Sequence, residues 1–128
     1  MKHPNAAALE AIYEPFTQGN AEGVIAHCAE NVTFQVEGKS PLAGKYSRQE
    51  FASFLAKQKE LSNGSHRLEV HDVMASEQHA VALCSEFFTK GDKAVQMRMA
   101  HVWRFQNGKP VAWYSYPRDL YQFDGAWA

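Results

Sequence analysis

Apolar residues recur every third or fourth position in the first part of the chain and every second position in its latter half, so a helical part precedes a stranded one. Ala8, Leu9, Ile12 and Phe16 predict an amphipathic helix from Asn5 to Gln18, kinked at Pro15 and ended by Gly19. Asn20 is a good N-cap for a second helix, Ala21 to Ala29, that buries Val24, Ile25 and Cys28. Val32, Phe34 and Val36 alternate with Thr33, Gln35 and Glu37 as in a strand, and Gly38, Pro41 and Gly44 then predict a loop up to Tyr46. Ser47 and Glu50 form a capping-box pattern for a third helix with an apolar stripe of Phe51, Phe54, Leu55 and Leu61, stopped at Asn63-Gly64.

Four strands are predicted beyond that point: Ser65 to Ala75, His79 to Thr89, Ala94 to Phe105 and Pro110 to Tyr116. Gly91-Asp92 and Asn107-Gly108 supply the positive φ angles of tight hairpins, so these strands form a meander. The segment Pro117 to Ala128 carries Tyr121, Phe123 and Trp127, too aromatic for a solvated tail, and is expected to fold back over an opening. Helices followed by an antiparallel meander make an α+β order, with helices covering one face of a curved sheet and a conical cavity between them.

His101 breaks the alternation. Val95, Met97, Met99, His101, Trp103 and Phe105 share one face, while Gln96, Arg98, Arg104 and Gln106 share the other. An imidazole therefore points where a core side chain is expected, and burying it unpaired costs on the order of 1–3 kcal/mol. It must hydrogen-bond inside the protein or face a pocket. Arg98 and Arg104, on the opposite face, are expected to pair with Glu69 and Glu86 across the sheet. Trp113 alternates with Ser115, and Tyr114 with Tyr116; either set could face inward.

Composition narrows the chemistry. The 128 residues, 45% of them hydrophobic, suit one domain over 1–128 with a core and a small cavity. The 13 basic and 14 acidic side chains are scattered and leave a formal charge of -1, so no nucleic-acid partner is expected. No apolar run is long enough to span a bilayer, which predicts a soluble, cytoplasmic protein without a membrane partner. Cys28 and Cys84 are isolated in apolar contexts and read as buried hydrophobes, without a base beside either to make a nucleophile. The histidines, at 3, 27, 66, 71, 79 and 101, show no ligand spacing, and His66 and His71 fall on opposite faces by parity, so no metal is expected. No glycine-rich phosphate loop is present, and no nucleotide cofactor is expected.

Ile12 to Gly23 (IYEPFTQGNAEG), Ala29 to Phe34 (AENVTF), Pro41 to Gly44 (PLAG) and His101 to Lys109 (HVWRFQNGK) resemble the SnoaL-like branch of the nuclear-transport-factor-2-like superfamily. The resemblance implies a cone-shaped α+β barrel, cystatin-like, with three helices on a strongly curved, mainly antiparallel sheet. It also implies a homodimer through the sheet. Ketosteroid isomerases of this superfamily use a tyrosine and two aspartates, at positions filled here by Ile12, Val36 and His101. None is retained, which excludes that mechanism. Epoxide hydrolases of the fold place Arg-x-Asp where Met99 and His101 stand, and a second aspartate near Asp119. SnoaL-like cyclases also use a late aspartate, for which Asp119 is the candidate.

The expected site is a His101–Asp119 pair in an apolar cavity lined by Ile12, Phe16, Phe34, Val36, Phe54, Met99 and Trp103, with Tyr116 or Tyr121 steadying an oxyanion. Its partner is a small apolar molecule and it needs no cofactor. The function expected is isomerisation, cyclisation, dehydration or hydrolysis by acid–base chemistry. The alternative is a non-catalytic ligand-binding or dimerisation module in which His101 is only a hydrogen-bond handle.

Overall fold

A computed structural model describes residues 2–128. Helix α1 (Pro4–Thr17) starts with Pro4 in its first turn, behind the His3 side chain, which accepts a hydrogen bond from Asn5 N–H. It runs through Pro15 to Thr17, and Gly19 at φ +72° ends it. Helix α2 (Ala21–Ile25) is capped by Asn20, whose side chain accepts from Gly23 N–H at 3.0 Å. It stops four residues short of the expected end at Ala29, and Cys28 is still buried beyond it. The Ser47–Glu50 box is reciprocal: Ser47 N–H donates to Glu50 Oε1 at 2.9 Å and Glu50 N–H to Ser47 Oγ at 3.3 Å. Helix α3 (Phe51–Leu61) follows it.

The sheet contains β1 (Thr33–Val36), β2 (Gly44–Ser47), β3 (Arg67–Ala75), β4 (His79–Lys90), β5 (Lys93–Gln106) and β6 (Lys109–Pro117), in the order β2-β1-β6-β5-β4-β3. Strands β3 to β6 form the expected meander, and both tight turns fall where the glycines put them. Lys90 pairs with Lys93 around Gly91, and Gln106 with Lys109 around Asn107 and Gly108, both at positive φ. Strand β1 pairs in parallel with β6, and β2 pairs antiparallel with β1. Two edges remain, so the sheet is curled but not closed.

Two elements differ from the expectation. The segment predicted as loop contains β2, an edge strand that pairs antiparallel with β1 across the loop of residues 37–43. The aromatic tail is a fourth helix, α4 (Leu120–Trp127), which buries Phe123 and Trp127 against the fold. Asp124 fixes α4 by accepting from Lys39 N–H at 3.0 Å, and Lys90 Nζ donates to the carbonyls of Gly125 and Ala128.

One face of the sheet and the buried side of the helices form a single core. Its centre is aromatic: Phe34 stacks on Phe51 at 4.1 Å between centroids, and Phe16, Phe54, Trp103 and Trp113 close around them. Among the described residues no helix is long and apolar enough to cross a membrane.

Candidate functional site

Parity on β5 sends His101 inward. It is 1% exposed, between Ala82 of β4 and Ser115 of β6 in the register. Above it lies α1. Tyr13, one helical position beyond Ile12, is turned onto the sheet with its Oη 2.7 Å from His101 Nδ1, and Trp103 Nε1–H donates to the same Oη at 3.0 Å. An indole N–H can only donate, so the tyrosine oxygen accepts there and its own proton is directed to His101 Nδ1. The neutral ring then carries its hydrogen on Nε2.

His101 Nε2 is buried and has no hydrogen-bond partner among the described residues. Burial pushes the imidazole down to about 4, opposed by Glu86 and reinforced by His66. It is neutral at pH 7. Burial likewise raises the Tyr13 hydroxyl well above its ordinary range. Cys84 Sγ lies 3.6 Å from His101 Nδ1, but burial pushes both Cys84 and Cys28 up to about 12, far from thiolate chemistry.

Ile12, Phe16, Phe34, Val36, Phe54, Met99 and Trp103 all lie in the core on this inner side, but as mutually packed side chains and not as walls of an open cone. The opening lies to one side. A cleft of about 420 Å³ runs between the end of α1, α3 and the start of β3, and of the expected lining residues Phe16 alone borders it. Phe16 also stacks on Tyr13 at 5.1 Å and on His101 at 5.9 Å, so one ring separates the cleft from the histidine.

Asp119 is not brought to His101. It is exposed and caps α4, its Oδ1 accepting from Gln122 N–H at 3.1 Å. Tyr121 is 91% exposed, and Tyr116 sits on the convex face, stacked on Tyr114. The inward set on β6 is Trp113 with Ser115.

Glu86 is also placed differently. It faces inward at 4% exposure and does not pair with Arg98 or Arg104, while Glu69 remains outside, 3.7 Å from His71. Opposite Glu86 on β3 is Leu68, and His66, two residues earlier, shares that inner face. Its Nε2 is 3.5 Å from Glu86 Oε2. His71, by contrast, bonds Ser85 Oγ from the other face at 2.8 Å. No group of three or more His, Cys, Asp or Glu side chains among the described residues is arranged to hold a metal ion.

An antiparallel meander curled over helices is a fold of the nuclear-transport-factor-2-like type. A family model described as a SnoaL-like domain matches residues 9–113, and the chain belongs to that family, which includes isomerases and cyclases. No curated protein sequence matches it. Among solved structures it is similar to Bal32a from a soil-derived mobile gene cassette, with TM-score 0.88, 20% identity and 98% of this chain and 97% of that one covered. A Xanthomonas campestris protein of unknown function with a cystatin-like fold gives TM-score 0.85 at 18% identity, covering 100% and 99%. TerC, co-crystallised with polyporic acid, gives 0.83 at 21%, covering 97% and 98%. At these identities the likeness is one of fold.

Proposed function

We propose that the protein binds a small, largely apolar carbonyl compound against the concave face and acts on it by cofactor-independent acid–base chemistry, with His101 Nε2 as the working atom. One observation carries this reading: a fully buried imidazole has one nitrogen fixed by Tyr13 and the other bonded to nothing among the described residues. An imidazole at about 4 is a weak base, yet as a neutral Nε2–H donor it can stabilise the enolate oxygen that develops while water or a buffer base takes the proton from the α-carbon. Entry is past Phe16. Rotation of that ring would join the cleft to His101. The co-crystal of TerC with polyporic acid supports an organic ligand for this fold.

The close packing of the inner face favours a second reading, affinity without turnover. The test is hydrogen–deuterium exchange at the α-carbon of 2-cyclohexen-1-one in deuterated buffer, followed by proton NMR. Acceleration by the native protein that falls to the buffer rate in His101→Phe supports catalysis. A shift of the His101 ring resonances without acceleration supports binding alone, and neither response overturns both.

The same reading takes the molecule as a homodimer through its convex face and as cytoplasmic. Leu83, Ala100 and Tyr116 form a cross-strand row on that face, with Leu83 and Tyr116 40% and 44% exposed. The two cysteines are buried and unbridged, as suits a reducing compartment.

A further inference from the structure

We propose that Glu86 and His66 form a second acid–base site, at a different place from His101, which takes the hydroxyl of a phenol in the cleft between α1 and α3. The parts come from four elements. Glu86 reaches inward from β4, His66 stands at the start of β3, Gln58 and Lys59 come from α3, and Phe16 from α1. The carboxylate is buried, and its Oε2 makes no hydrogen bond among the described residues. The nearest cationic candidate is His66 Nε2, which is also buried and lies 3.5 Å away. Trp127 Nε1, on a ring 5.7 Å from that of His66, is a third buried polar atom without a partner. Each such atom costs on the order of 1–3 kcal/mol, and two of them, Glu86 Oε2 and His66 Nε2, face each other inside an apolar wall.

The geometry sets the roles. His66 Nε2 is the ring nitrogen that faces Glu86 Oε2, so the tautomer with its proton on Nε2 sets a donor against an acceptor. In that tautomer Nδ1 is the unprotonated nitrogen of a ring that borders the cleft. A carboxylate behind an imidazole fixes the tautomer and supports the positive charge the ring gains when Nδ1 takes a proton. In the proposed step the phenol O–H bond breaks and an Nδ1–H bond forms. The phenolate is left beside the imidazolium, and the Lys59 ammonium is at the cleft wall.

The walls choose the ligand. Phe16, Leu55 and Leu68 offer an apolar slot for a ring, while Gln58 offers an amide. An amine cation would meet Lys59 and His66, whereas a neutral, weakly acidic hydroxyl meets an acceptor in Nδ1 and a cation only after it ionises. His101 is in electrostatic reach of both Glu86 and His66, and the buried Cys84 thiol is in reach of Glu86.

The probe is 4-nitrophenol, whose visible band reports its ionisation. At fixed pH the native protein should bind it with a raised phenolate fraction and bind 4-nitroanisole, which has no proton to give, about tenfold more weakly. His66→Gln should remove that preference and the extra ionisation. Glu86→Gln should keep the probe bound but lower its ionised fraction, and His71→Gln, on the convex face, should match the native protein. Thermal melts verify that each variant folds, and the native phenol-to-anisole ratio stands as a test by itself. No binding of 4-nitrophenol, equal binding of both probes to the native protein, or unchanged ionisation in His66→Gln would overturn the proposal. None of these readings involves the His101 exchange assay, so either site can fail alone.

Discussion

Tyr13 Oη is the single hydroxyl on which two buried side chains depend, Trp103 as donor and His101 as acceptor. Tyr13→Phe leaves both without that partner and should cost about 1–3 kcal/mol in urea unfolding. It should also move the His101 nitrogen shifts. His101 adds a pH dependence of definite sign. Its folded value of about 4 lies below the ordinary 6.5, so the unfolded chain binds more protons between these values. Stability from the buried neutral ring is full above about 6.5 and is lost as pH falls towards 4, by about 3 kcal/mol. The difference in unfolding free energy between native protein and His101→Phe should follow that window. Parity made His101 legible in the sequence, because β5 has one apolar and one polar face. Tyr13 was not, since the one-residue shift that reverses a strand side chain rotates a helical one by only about 100°. Nor was Glu86. Val81, Leu83 and Phe87 are as apolar as Ala82, Cys84 and Phe88, so β4 shows no inner face until its register with β5 is known.

The elements that are legible end in local chemistry. Asn107 and Gly108 stop β5 and begin β6, Asn20 starts α2, and the Ser47–Glu50 box precedes α3. What was missed lacks such signals or carries them in another guise. Strand β2 has four residues, is half exposed, and exists because β1 is beside it. Asp119 signals a helix start, yet a carboxylate late in the chain also resembles an acid–base residue, and Gly125 weakens the helical pattern after it. Helix α4 is held by packing: Trp127 stacks on Phe88 at 4.2 Å and is 1% exposed. Trp127→Ala should therefore cost about 3–5 kcal/mol, read by chemical denaturation. Gly38→Ala tests the same docking from the other side. Gly38 has φ +102°, and a Cβ there would fall on the Asp124 carboxylate, so a loss of more than about 1 kcal/mol is expected from the backbone alone.

For the whole molecule, the aromatic centre and the curled sheet follow from patterning the sequence displays, whereas the degree of filling does not. Alternation shows which way Phe34, Trp103 and Trp113 point, but only the tilt of α1 and α3 over the sheet determines that these rings meet and leave the opening beside Phe16. The convex face carries Leu83 and Tyr116 outward, and if the proposed dimer forms there, Leu83→Lys should shift sedimentation from dimer to monomer without changing the circular dichroism of the fold. The parallel pairing of β1 with β6 has a temporal meaning as well. Phe34 lies opposite Trp113, so β1 waits for a strand made well after it. Helix α1 packs on β3 and β4, so it has no sheet to cover until that hairpin forms, and the hairpins β3 to β6, joined by short turns, are the first part able to assemble on its own. A ribosome paused after α3 would thus hold an apolar, unpartnered chain, and the demand for chaperones should peak there, before β3 to β6 have emerged.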